Sequence, residues 1–233
     1  MKSFSRIACI FAVAGGVIAA DVTPKEAVKA AAKSLGDKPN YSWRSEVANA
    51  SGGGGRGAGP TEGKAEKGGL THLTLTRGEN TTIAVLKGGK GAVKTEDGWK
   101  SGEELSADQD RQNPARFVGR MLQSFKAPAL QAADLAEGAK ELKKEGDAFA
   151  GDLTESAAKS LMSYGGNAEV RDAKGSVKFW LNEGTLAKYQ FKVQGTISFN
   201  GNDREVDRTT TVQIREVGTT KLDVPDEAKK KLQ

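Results

Sequence analysis

An α+β fold, an antiparallel sheet with helices laid over one face, is what this sequence predicts, and three observations carry that expectation. Residues 186–199 alternate: Ala187, Tyr189, Phe191, Val193, Gly195, Ile197 and Phe199 take the odd places, with Lys188, Gln190, Lys192, Gln194, Thr196 and Ser198 between them. A period of two sends one set to each face of a pleated strand, so this is a long strand covered on one side and wet on the other. Between 114 and 142 the period changes. Phe117, Val118, Met121, Leu122 and Phe125, then Leu130, Ala133, Leu135, Ala136, Ala139 and Leu142, recur at helical spacing. The strand-like segments fall into two groups, before and after that helical insert, and elements with one apolar face bury it by layering.

The chain opens with a segment that does not belong to the fold. Lys2 and Arg6 precede an apolar run over 7–18, and small residues at 17–20 offer a cleavage site. That pattern is a secretory signal peptide over residues 1–20, too short and wrongly flanked for a lasting membrane span. Cys9, the one cysteine, lies inside it, so the exported chain is expected to hold its core without disulfides. Residues 21–233 are enough for one sizeable domain. Without Lys2 and Arg6 the basic count falls from 35 to 33 against 30 acidic residues, with no concentrated basic face. Nucleic-acid binding needs such a face and is not expected, and no second apolar span is present.

The elements follow in order. Thr23-Pro24-Lys25-Glu26 reads as a capping box with proline at the first helical position, and Ala27, Val28, Ala31, Ala32 and Leu35 form a lean stripe ended by Gly36 and Pro39. Tyr41, Trp43, Ser45 and Val47 alternate as a strand. Residues 51–60 (SGGGGRGAGP) have nothing to bury and read as a loop connecting strands; no GxxxxGK[ST] arrangement supports a phosphate site there. Two threonine-rich strands at 70–77 and 80–87, a short one at 92–95 and Asp97-Gly98 leading into Trp99 make a meander. After the insert, 146–153 is a short strand and Thr154 caps a helix through Met162. Val177, Phe179 and Leu181 then alternate, with Trp180 on the other face. Asn200-Gly201-Asn202-Asp203 turns the long strand into its return, 206–217. Residues 221–225 read as an edge strand, and 226–232 as a terminal helix.

Chemistry is sparse. His72, the only histidine, sits among threonines opposite in parity to Leu73 and Leu75, which makes it a surface residue on the polar side. No strained nucleophile turn and no calcium-loop spacing occur, and the acidic pairs Glu103-Glu104 and Asp108/Asp110 suit helix starts. The chain is therefore expected not to be an enzyme and to need no cofactor or metal. A sheet roofed by helices can leave an apolar pocket. Its lining would be Trp43, Phe117, Met121, Phe125, Tyr189, Phe191 and Phe199, unless all seven are simply core.

Three places resemble the periplasmic outer-membrane lipoprotein-carrier superfamily: Asp97-Gly98-Trp99 before the helical insert, Val177-Lys178-Phe179-Trp180-Leu181, and Lys221-Leu222-Asp223-Val224-Pro225-Asp226-Glu227-Ala228 near the end. The element order over 23–230 is similar too. The resemblance implies a strongly curved antiparallel half-barrel whose concave face is covered by helices and takes acyl chains or other lipids. The Gly-rich loop departs from that pattern, and the later strands carry lysines and threonines where a greasy cavity would want aliphatics. Two expectations follow for this periplasmic or otherwise exported chain, soluble once the signal peptide is removed. One is a lipid or other apolar ligand in the half-barrel. The other is a non-catalytic structural or interaction module with a filled core and an envelope protein as partner.

Overall fold

The computed structural model describes residues 22–50, 59–107, 114–163, 169–199 and 201–233. Helix α1 (Pro24–Asp37) starts as its sequence dictates. The Glu26 amide donates to Thr23 Oγ1 and the Thr23 amide donates to the Glu26 carboxylate, satisfying two of the orphan donors at the helix end. The chain then enters β1 (Asn40–Asn49), β2 (Thr61–Glu66), β3 (Thr71–Arg77), β4 (Asn80–Lys87), β5 (Lys90–Thr95) and β6 (Gly98–Ser101). Three helices follow: α2 (Gly102–Ala107), α3 (Pro114–Gln123) and α4 (Pro128–Gly138). Next come β7 (Lys143–Glu145), β8 (Ala148–Asp152) and α5 (Glu155–Met162), capped by Thr154. The long strands β9 (Glu169–Asn182), β10 (Thr185–Phe199) and β11 (Asn202–Arg215) precede α6 (Asp226–Lys230).

All eleven strands lie in one sheet in the order β6-β5-β4-β3-β2-β1-β11-β10-β9-β8-β7, and every pairing is antiparallel. The strongly curved half-barrel expected from the resemblance is not the architecture found. The sheet is open: β6 and β7 are its two edges and do not meet. Bending a sheet toward closure takes bulges or kinks distributed across its strands. Here the register shifts are confined to the β9–β10 pair, at Leu186/Lys188 and Gln194/Thr196, and the other strands stay in one-to-one register. The alternation read from the sequence fixes which face each side chain takes; it carries no information about curvature.

Helices α1 to α5 cover one face, as the layering argument anticipated. The main core joins Val28, Ala32 and Leu35 of α1, Leu105 of α2, Val118 and Leu122 of α3 and Ala132, Leu135 and Ala136 of α4 to the sheet. On the sheet they meet Tyr41, Trp43, Leu73, Val93, Phe179, Leu186, Tyr189 and Phe191. A smaller cluster lies under α5, where Ala158 and Met162 meet Ala173 and Val193. On the opposite face α6 packs Ala228 with Val224 against Val85, Ala92 and Trp99. The tail is tied down there by Lys64 Nζ, which donates to the Lys221 carbonyl at 3.1 Å, and by the Lys231–Glu104 ion pair at 2.6 Å. Residues 221–225 cross this face without pairing as a strand. Among the described residues no helix is long and apolar enough to cross a membrane.

Candidate functional site

The apolar strip on the helix side of the sheet is built by register. Tyr189 of β10 stands between Phe179 of β9 and Val212 of β11, and Val212 in turn faces Ser45 of β1. The next row inward runs Val177, Phe191, Thr210 and Val47. Phe179 and Tyr189 stack with ring centroids 6.4 Å apart. Tyr41 and Trp43 extend the strip along β1, tilted against each other at 5.7 Å.

Trp43 is held by an absence as well as by contacts. A Cβ at Gly63, on the neighbouring strand β2, would sit 2.0 Å from Trp43 Cζ2, so only glycine lets the indole lie flat over the β2 backbone. From above, Phe125 stacks on the indole at 6.3 Å and 21° between planes. Phe125 belongs to the connection 124–127 between α3 and α4, and with Met121 it packs partly buried against the core.

Two phenols lie in this otherwise apolar layer. Tyr189 is fully buried, and its hydroxyl donates to Gln131 Oε1 of α4 at 2.6 Å. Burial, and after it the neighbouring Tyr41, holds the Tyr189 phenol well above its ordinary range. Burial pushes the Tyr41 phenol up to about 12, offset in part by a backbone hydrogen bond at Ala129. Both therefore stay neutral, as buried phenols must when no cation is at hand.

The helical cover is of two kinds. Helices α1 and α4 run antiparallel and close: Lys25 Nζ donates to the Ala139 carbonyl at 2.8 Å at one end, and Gly36 lies 3.5 Å from the Ala129 methyl (measured from an ideal Cβ) at the other. Helix α3 instead reaches the sheet near β5 through Val118 and Leu122, with Gly91 giving Leu122 room. Its outer side carries Phe117, 44% exposed, with the Arg77 guanidinium 4.4 Å from the ring centroid.

Of the seven residues singled out in the sequence, Trp43, Tyr189 and Phe191 share one buried cluster, and Met121 and Phe125 pack against it. Phe117 stands outside that cluster, at the surface. Phe199 is the last residue of β10, and its side chain lies outside the described ones. Sequence reasoning missed Tyr41, Phe179, Gly63 and Gln131. A glutamine within the alanine-rich stretch 127–136 was the available signal for Gln131, since a polar side chain there needs a buried partner.

Two concavities lie elsewhere on the molecule. One, about 880 Å³, runs along the outer side of α5 past Glu155, Lys159 and Ser163. The other, about 480 Å³, lies where the β4–β5 turn, α2, α3 and the C-terminal residues meet. Both are bordered by polar and charged side chains and open to solvent. His72 is half-buried beside the tail, and burial, then Lys64, lowers its pKa, with Asp223 opposing. Among the described residues no three His, Cys, Asp or Glu side chains gather into a metal site.

No family model matches the chain, and no curated protein matches it. Two solved structures align with it over most of its length. The crystal structure of LprF from Mycobacterium bovis aligns with a TM-score of 0.46 and 8% identity, over 88% of this chain and 96% of that one. The crystal structure of the Mycobacterium tuberculosis lipoprotein LppX aligns with a TM-score of 0.45 and 9% identity, over 86% and 97%.

Proposed function

We propose that this chain is an exported, non-catalytic protein of the cell envelope that takes a lipid or another apolar ligand against the helix side of its sheet. The ligand would lie along Trp43, Tyr189 and Phe191, with Met121 and Phe125 above it. The single observation that carries this reading is the Phe125–Trp43 stack. It puts an aromatic contact between the fixed sheet and a cover that hangs on the short connection 124–127. Contacts through one ring and a few aliphatic side chains can be exchanged for contacts with an acyl chain at small cost, because both bury the same kind of surface. The signal-like segment 1–20 supports export.

Native mass spectrometry of protein purified from the envelope of cells that make it tests this directly. A bound mass that leaves on organic extraction is the expected result. A ligand-free mass, with no uptake of a fluorescent fatty acid by the extracted protein, overturns it. One observation favours a second reading, a filled-core module that works through a protein partner: Tyr189 has no exposed surface and its hydroxyl is already satisfied by Gln131. Crosslinking in intact cells separates the two, since a chain recovered only as monomer counts against the module.

A further inference from the structure

The outer side of α3 gathers cations around an exposed ring. Arg116 and Arg120 lie together on one side of Phe117 on the helix, and β3 brings Arg77 against the ring from the sheet. The segment 114–127 (PARFVGRMLQSFKA) contains no acidic residue. Among the described residues Lys126 is paired with Asp134, whereas Arg77, Arg116 and Arg120 have no carboxylate partner. On the adjoining α2, Glu104 is taken up by Lys231 and the Ser101 amide, and Glu103 is exposed. Arg116 and Arg120 are four residues apart, so they repel along one helix face. Arg77 over the ring is a favourable contact, and an anionic, partly apolar surface would relieve the mild Arg116–Arg120 repulsion while taking in the ring.

We propose that this face of α3 docks the protein on an anionic lipid bilayer, with Phe117 entering the interface and Arg77, Arg116 and Arg120 meeting lipid phosphates. An aromatic ring amid cations on a helix parallel to a surface is the arrangement that binds the headgroup–acyl boundary. The patch is one ring and three guanidinium groups, far below the roughly 800 Å² per partner that a stable protein interface buries. It is also too small for the extended basic stripe that nucleic acid requires. A bilayer asks for neither area nor shape. This docking does not depend on any ligand beneath the helices, so it stands or falls apart from the reading above.

The test is co-sedimentation of the envelope-purified chain with vesicles of phosphatidylglycerol mixed with phosphatidylcholine, and with phosphatidylcholine alone. Binding to the mixed vesicles, weakened by salt and absent from the neutral ones, is the expected result. Each arginine removed should cost about fivefold in partitioning, so Arg116→Gln with Arg120→Gln lowers it roughly 25-fold. Phe117→Ser should abolish the part that survives high salt, because only the electrostatic share is screened. Phe117 and Arg120 are exposed and Arg116 is half-buried, and circular dichroism on each variant checks that the fold is kept. Equal binding to both vesicle types, no binding to either, or variants that partition like the parent protein would each overturn the proposal. So would capture of an acidic protein by a photocrosslinker at position 117 with no vesicle binding.

Discussion

Helices α1 and α4, over β1 and β10, differ from α3, over β4 and β5, in what they do with aromatic side chains. Under the first pair everything large is enclosed: Leu35, Phe179, Leu186 and Tyr189 have almost no exposed surface. The helices themselves contribute mostly alanine, so their backbones come close and the sheet supplies the bulk. On α3 bulky side chains lie both inside and out, with Val118 and Leu122 buried. The helix supplies Phe117 and Met121, and the first of these stays outside. Close alanine-faced packing fixes a layer; α3 is anchored through Val118 and Leu122 and leaves one aromatic ring, Phe117, at its surface.

Substitutions can break that contrast, beginning with the enclosed half. Leu35→Ala removes a fully buried side chain between α1 and the sheet and should cost about 2–5 kcal/mol in urea unfolding. Gly63→Val should cost about 1–3 kcal/mol, because the new side chain displaces the Trp43 indole; a red-shifted tryptophan emission would show the indole leaving its place. Tyr189→Phe leaves Gln131 Oε1 without its donor and should cost about 1 kcal/mol.

The same tyrosine makes a pH prediction. Its folded pKa is raised, so the stability it contributes is complete below the unfolded value near 10 and declines as pH rises toward the folded value. Tyr41 behaves likewise between about 10 and about 12. Stability should therefore fall above pH ~10, and the slope against pH should lose one proton in Tyr189→Phe. The slope remaining unchanged in that variant would show that Tyr189 is not the buried phenol. Smallest of all, Phe117→Ser should move stability by less than about 0.5 kcal/mol, since the ring is held at the surface. A loss as large as that of Leu35→Ala would erase the difference between the two halves.

The elements legible in the sequence were those whose pattern is local. The capping box at Thr23, the alternation over 186–199 and the turn at Asn200-Gly201 each state their backbone geometry within a few residues; Gly201, at φ +76°, supplies the conformation that turn needs. β2 was not read. Its sequence, TEGKAE, is polar and poor in strand formers, and it is a strand because β1 and β3 pair with it from both sides. α2 was seen only as an acidic pair, although Ser101 and Glu104 form its capping box. The half-barrel came from resemblance, and curvature is a property of the assembled sheet that no single strand encodes. For the candidate site, Trp43, Tyr189 and Phe191 were readable because parity assigns faces. Gln131 and Gly63 were not, since each matters only through a neighbour distant in sequence.

The seam between β1 and β11 sets the order in which this molecule can assemble. Ser42 lies opposite Arg215 and Asn49 opposite Arg208, so the pairing joins residues about 160 to 170 positions apart. On one side of the seam β1 to β6 form a meander of neighbouring hairpins; on the other, β9 to β11 do the same. Each half can zip locally, whereas the seam must wait for nearly the whole chain and bears the loop-closure entropy of that long separation. Folding should therefore show two fast local phases and one slow joining step. Until that step β1 presents an unpaired edge, with Tyr41 and Trp43 uncovered beside it, and this interval is when the chain is most prone to pair with another copy of itself.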